Sequence, residues 1–135
     1  MNDPHVDEPR HLFVYGTLRP GDVRWPFLES FVADVGTADT TAGEVFDTGL
    51  DYPAAVFGGP GSIVGRTYRL LPERVDEALA LLDRVEGAVD GLYRRVRVTT
   101  GRGLTAWAYA YGDGLELTPI PSGDWFDRPP RAPAD

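Results

Sequence analysis

The sequence predicts an α+β fold: a small mixed β-barrel of about six strands, with two or so helices packed on its outside. Three observations lead there. Short apolar or alternating runs bounded by glycine, proline or aspartate recur along the 135 residues, as strands do. Two other segments place apolar residues at helical spacing. Finally, LTAWAYAY (104–111) sets Trp107, Tyr109 and Tyr111 on one face and Ala106, Ala108 and Ala110 on the other, so a strand here is bulky on one side and open to a close neighbour on the other. Neither an internal repeat nor a linker divides the chain. One domain is expected, spanning residues 11–126, with 1–10 and the Pro-rich 127–135 as flexible tails.

The elements follow in order. HLFVY (11–15) is a short apolar run bounded by Gly16, read as a buried strand. GTLRPGD is a Gly/Pro loop. From Pro26, a residue suited to a first helical turn, Phe27, Leu28, Phe31 and Val32 form a helical stripe. GEVFD (43–47) and YPAAVF (52–57) read as strands and FGGPGS as a turn. IVGRTYRL (63–70) is a strand with Val64, Arg66, Tyr68 and Leu70 on one face. Pro72 opens a second helix whose stripe is Val75, Ala78, Leu79, Leu82 and Val85. After GAVDG breaks the period, YRRVRVTT (93–100) and LTAWAYAY are strands joined through the glycine turn GRG.

Composition narrows the function. A hydrophobic content of 42% is enough for a core, and the net charge is −8. An acidic protein without a basic stripe is a poor match for nucleic acid or for an anionic membrane surface. No apolar run is long enough to span a bilayer, and the polar start MNDPHVDEPR lacks a signal-peptide core. A cytoplasmic location is expected. There is no cysteine, which removes disulfides and thiolate catalysis. The two histidines, His5 and His11, have no i+4 partner, so no zinc signature exists, and neither a metal nor a cofactor is expected. All 13 basic residues are arginine, which excludes Schiff-base and P-loop lysine chemistry. Carboxylates, hydroxyls, aromatics and backbone N–H groups remain.

Three features carry chemistry, each with an ordinary structural alternative. In FVYGTLRPG, a strand running into Gly16 can expose consecutive backbone N–H groups as a nest for a carboxylate or oxyanion, with Arg19 nearby. The alternative is a plain strand-to-loop turn. Glu86 lies eleven residues past Val75, roughly 20° from the apolar stripe at about 100° per residue. A carboxyl there is partly desolvated, which raises its pKa toward the range useful for general acid/base work. The alternative is a frayed C-terminus ended by Gly87. In PIPSGDWF, Asp124 and Trp125 either wall a pocket or belong to a C-terminal segment that plugs the barrel. The acidic positions Glu73, Asp76 and Glu77, with Arg84, lie away from the stripe and read as a solvated face.

Taken in order, FVYGTLRPG, YPAAV followed by VGRTYRL, LDRVEG…LYRR and SGDW resemble the γ-glutamylcyclotransferase-like family, also called AIG2-like. YGTL alone is a weak signal; YGTL followed at a distance by LDxxEG…LYxR is much more specific. The resemblance covers nearly the whole chain and implies a small mixed barrel with flanking helices and a cavity at one side. It implies that the loop Tyr15, Gly16, Thr17 and Leu18 binds substrate, largely through backbone N–H groups. By the same correspondence Glu86 is the catalytic residue and Tyr93 lines the pocket. Arg19 receives no role.

The implied substrate is a small γ-glutamyl compound, which carries its own nucleophile. Its α-amine attacks the γ-carbonyl, 5-oxoproline forms, and an amine or amino acid leaves. Glu86 would take the ammonium proton and return it to the leaving nitrogen. Intramolecular attack lowers the entropic cost, so the sparse inventory of reactive side chains suffices. A non-catalytic module binding a small metabolite on the same barrel is the alternative, since a fold does not fix a reaction.

Overall fold

The computed structural model describes residues 9–15, 25–34, 36–47, 53–85, 93–111 and 117–127. Strands are β1 (His11–Val14), β2 (Thr37–Asp47), β3 (Pro53–Arg69), β4 (Tyr93–Thr99), β5 (Thr105–Tyr111) and β6 (Thr118–Pro119). The helices are α1 (Trp25–Leu28) and α2 (Val75–Val85). The strands form one sheet in the order β4-β5-β1-β3-β2-β6. All neighbours are antiparallel except β1 and β5, which run parallel.

Strand alternation divides the apolar residues into two layers. Phe13, Val45, Ala55, Ile63, Val98, Ala106, Ala108, Ile120 and Trp125 fill the concave interior. Leu12, Val14, Tyr68, Leu70 and Tyr109 face outward and pack against Ala78, Leu79 and Leu82 of α2. The two faces of β5 therefore serve different layers: its alanines let the interior pack closely, and its aromatics hold the helix. The spacing of α2 buries Ala78, Leu79 and Leu82 together, and each fully buried leucine contributes about 1.5–3 kcal/mol. Asp76 and Glu77 in its first turn and Arg84 in its last complement the helix dipole. A turn of 3-10 helix at Pro72–Arg74 leads into it. None of the helices among the described residues is long and apolar enough to cross a membrane.

The sheet curls until its flanks meet at one end. Thr41 of β2 bridges Thr100, beyond β4. The Thr41 hydroxyl donates to the Thr99 carbonyl at 3.0 Å, and the Gly101 N–H donates to the Thr40 carbonyl at 2.7 Å. The buried carboxylate of Asp39 lies at the centre of this closure. It accepts the Thr67 hydroxyl at 2.8 Å, the Thr40 N–H at 2.8 Å and the Arg102 N–H at 3.2 Å. Strands β2 and β3 and the β4–β5 turn are thus fastened to one side chain. At the opposite end no such bridge occurs, and the barrel is open among the described residues.

Several elements differ from the sequence expectation. Strand β2 begins at Thr37 rather than Gly43, because Asp39 and Thr41 occupy inward positions and hide the apolar alternation. The FGGPGS turn does not separate two strands: β3 is continuous, and its register on β2 jumps from Ser62 to Phe57 opposite Ala42 and Gly43. Residues 58–61 are extruded as a bulge, with Gly43, Gly58 and Gly59 at positive φ. The first helix is a single α-turn followed by 3-10 helix at Glu29–Phe31. It stops there because Val32 bridges Leu70 and Ala33 N–H donates to the Arg69 carbonyl, turning the chain into the sheet.

Burial pushes the Asp39 carboxyl up, but hydrogen bonds from Thr67, Thr100, Thr40 and Arg102 outweigh it and hold the group below its ordinary 3.8. Its ionised form therefore stabilises the fold. That contribution is complete above about pH 4 and is lost as the pH falls through the lower folded value. Replacing Asp39 by Asn is expected to cost about 2 kcal/mol at pH 7, with the gap from wild type closing in acid. Urea unfolding curves at pH 7 and pH 3 check both points.

Candidate functional site

Topology gathers the site at the open end. Antiparallel pairing of β1 with β3 places His11 at the closed end and Tyr15 toward the open one. Strand β5 runs parallel to β1 and so finishes there, and its antiparallel partner β4 starts there, with Tyr93 opposite Tyr111. Helix α2 returns along the outside and ends beside them, as the contacts of Asp83 establish. The strand or helix ends flanking both sequence-predicted motifs thereby converge. Gly16, Thr17, Leu18, Arg19 and Glu86 lie outside the described residues.

Tyr109 connects the two sides. The β1–β5 ladder stops at Leu12 and Trp107. Beyond it the buried Tyr15 hydroxyl donates to the Tyr109 carbonyl. On the outer face the Tyr109 hydroxyl donates to Asp83 Oδ1 at 2.7 Å. Asp83 also accepts Arg95 Nε at 3.1 Å and Arg95 Nη2 at 3.4 Å, a two-pronged pair with directional geometry. The Arg95 guanidinium lies over the Trp107 ring, 4.5 Å from its centroid, a cation–π arrangement that holds it in place. Asp83 and Arg95 are about a quarter exposed (27% and 28%), so screening leaves this ion pair about 1 kcal/mol or less. Its value is geometric: it fixes the last turn of α2, three residues before Glu86, against β4 and β5.

The motifs LDRVEG and LYRR contain Asp83 and Arg95, but sequence reasoning assigns neither of them a task. The available signal is in the motif letters themselves, two charges of opposite sign flanking Glu86. Tyr109 is visible in the sequence only as one member of a bulky face.

An open cleft of about 260 Å³ lies at this end, lined by Val56 and Phe57 of β3, Arg94, Val96 and Arg97 of β4, and Ala110 of β5. It lies between β3 on one side and β4 and β5 on the other. Phe57 meets Tyr15 edge to face at 6.0 Å, so the cleft adjoins the residue from which the YGTL loop departs.

Other candidates are elsewhere. Trp125 is buried in the barrel interior, which makes it part of the plug. Asp124 accepts the Phe126 N–H at 3.0 Å, forming a local turn. His11 is at the closed end; burial lowers its pKa, and Arg69 and Arg102 lower it further against the pull of Asp34. It is therefore neutral near pH 7 and remote from the cleft. Among the described residues no cluster of three or more histidine and carboxylate side chains is placed to hold a metal ion.

Residues 12–127 match the family model described as gamma-glutamyl cyclotransferase, AIG2-like. The chain belongs to this family. Solved structures share the fold of this AIG2-like domain. An uncharacterised protein of Pyrococcus horikoshii is 24% identical, with 85% of this chain and 88% of that one covered and a TM-score of 0.61. An AIG2-like protein of Mus musculus is 19% identical, with 93% and 88% covered and a TM-score of 0.58. YkqA of Bacillus subtilis is 27% identical with a TM-score of 0.62, but the match covers 87% of this chain and 40% of that longer one. No curated protein sequence matches it significantly.

Replacing Tyr109 by Phe removes one donor from Asp83 and leaves the ring packed against α2. A loss of about 1 kcal/mol is expected, read as a lower urea midpoint with an unchanged m-value.

Proposed function

We propose that this AIG2-like protein cyclises a γ-glutamyl compound, releasing 5-oxoproline and a free amine or amino acid. The observation that carries the reading is the double tie at Tyr109, which supports a site assembled from the YGTL loop and the end of α2. One tie holds Tyr15, where the loop begins, and the other holds Asp83, shortly before Glu86.

The reaction follows from those parts. Backbone N–H groups of residues 16–18 hold the substrate's α-carboxylate or its developing oxyanion. Glu86, ionised, removes a proton from the α-ammonium group. The freed nitrogen attacks the γ-carbonyl carbon and closes the lactam ring. As the tetrahedral centre collapses, the bond from carbon to the leaving nitrogen breaks and Glu86 gives that nitrogen the first proton; the second proton, which the ring nitrogen sheds to become the lactam N–H, passes through Glu86 to the departing amine, which leaves as an ammonium. Protons and electron pairs balance without any further reactant. The nucleophile is tethered within the substrate, so most of the entropic cost of approach is already met. The LYxR motif of the family assigns Tyr93, first residue of β4, to the same pocket.

General acid/base catalysis contributes about 10²–10⁴-fold. Glu86→Gln is therefore expected to lower 5-oxoproline release by at least about 10²-fold while substrate still binds; release at the wild-type rate would falsify this role. Gly16→Val places a branched side chain on the loop backbone and is expected to weaken substrate binding by about tenfold or more. Calorimetry with a folded variant measures this, and undiminished affinity removes the loop from the site.

A further inference from the structure

Strand β4 is an end strand of the sheet. Alternate residues of an antiparallel strand bond to one neighbour, and those between them face the other way. The Thr100 N–H donates to the Leu104 carbonyl at 2.8 Å. Val98, Val96 and Arg94 therefore bond to β5, whereas Thr99, Arg97 and Arg95 turn their N–H and carbonyl groups away from it. The Thr99 carbonyl meets the Thr41 hydroxyl at the closure. Past that point β2 pairs with β6, through Phe46 and Asp47, and not with β4. Among the described residues nothing bonds the outward N–H or carbonyl of Arg95 or Arg97.

An open edge is normally blunted by shortness, a bulge, a proline or a covering segment. Strand β4 has seven residues in unbroken register with β5, and YRRVRVT contains neither proline nor glycine. It carries arginine instead. Arg95 and Arg97 share the outer face, over Trp107. Asp83 matches Arg95, but the exposed Arg97 has no ion-pair partner among the described residues. Val96 and Val98 point the other way, into or against the interior. A second copy of β4 fits this edge poorly: antiparallel pairing centred on Arg95, Val96 or Arg97 sets arginine against arginine, and like charges directly opposite destabilise a ladder.

We propose that the β4 edge docks an extended segment of another protein in which acidic and apolar residues alternate. The acidic residues lie opposite Arg95 and Arg97, and the apolar residue between them lies opposite Val96. Backbone hydrogen bonds supply the affinity and the alternate side chains the selection. The net charge of −8 turns such a segment away from the remaining surface and leaves the arginine edge as its landing place. This surface is independent of the cyclisation reading.

The probe is a capped peptide, Thr-Glu-Val-Glu-Val-Glu-Thr. It is compared with its lysine-for-glutamate counterpart, with a form N-methylated at the glutamates, and with a short oligothymidylate. Methylation keeps the charge and removes the donors that face β4. Binding is measured by calorimetry, and hydrogen exchange of the β4 amides by NMR. The acidic peptide is expected to bind at least about tenfold more tightly than the lysine and methylated forms. It is also expected to slow exchange at the Arg95 and Arg97 N–H groups while leaving Val96, already bonded to β5, unchanged. Arg97→Gln keeps the outward N–H and is expected to weaken binding about two- to fivefold. Arg97→Pro also removes that donor, at a position where an edge strand tolerates proline, and is expected to weaken binding by about tenfold or more. Unfolding curves verify that both variants are folded. Equal binding of the methylated peptide without protection at Arg95 and Arg97 reduces the contact to loose ionic attraction and overturns the docked strand. Equal binding of the lysine peptide, or none of the acidic one, overturns the proposal outright. Tighter binding of the oligothymidylate overturns it in favour of a nucleic acid.

Discussion

Asp39 imposes the asymmetry on which the rest of the molecule depends. A buried carboxylate must be matched by donors or it destabilises the fold, and here the donors come from β2, β3 and the β4–β5 turn. Satisfying that one group draws the two flanks of a curled sheet together at one end. Beyond Thr41 and Thr100 no comparable polar anchor occurs among the described residues. The cleft lies toward the far end, between β3 and the pair β4 and β5. The polar anchor and the candidate site thus lie toward opposite ends of the same strands.

The open end is organised by β5. Its small alanines let the interior approach closely, while Trp107 and Tyr109 on the other face hold Arg95 and Asp83. Tyr109 works on both sides of the sheet at once, through its carbonyl to Tyr15 and through its hydroxyl to α2. A shift of α2 would therefore strain the contact that seats the start of the YGTL loop. In a chain with few reactive side chains, this kind of backbone and carboxylate positioning is the means available for chemistry.

Part of this architecture is legible in the amino-acid sequence. The helical spacing of Val75, Ala78, Leu79 and Leu82 marks α2, since one apolar stripe has one way to be buried. The strict alternation in β5 marks its two faces. The motifs of the AIG2-like family point to the loop and to Glu86. The first half of β2 is hidden because its inward positions are Asp39 and Thr41, whereas a half-buried strand is recognised by apolar residues on its inner face. The FGGPGS stretch looks like a turn between strands because glycine and proline serve turns and bulges alike; pairing with Ala42 and Gly43 on another strand decides between them.

By itself, then, the sequence determined the class of fold, the faces of α2 and β5, and the family, all properties written in local spacing or in the order of motifs. The tertiary structure decided which end of the barrel closes, which tyrosine joins the two motifs, and that the inward row of β4 ends in a cation beside an opening. Those features rest on contacts between residues far apart in the chain, such as Thr41 with Thr99 or Tyr15 with Tyr109. Local periodicity says which way a side chain faces, but only the folded chain says what it meets there.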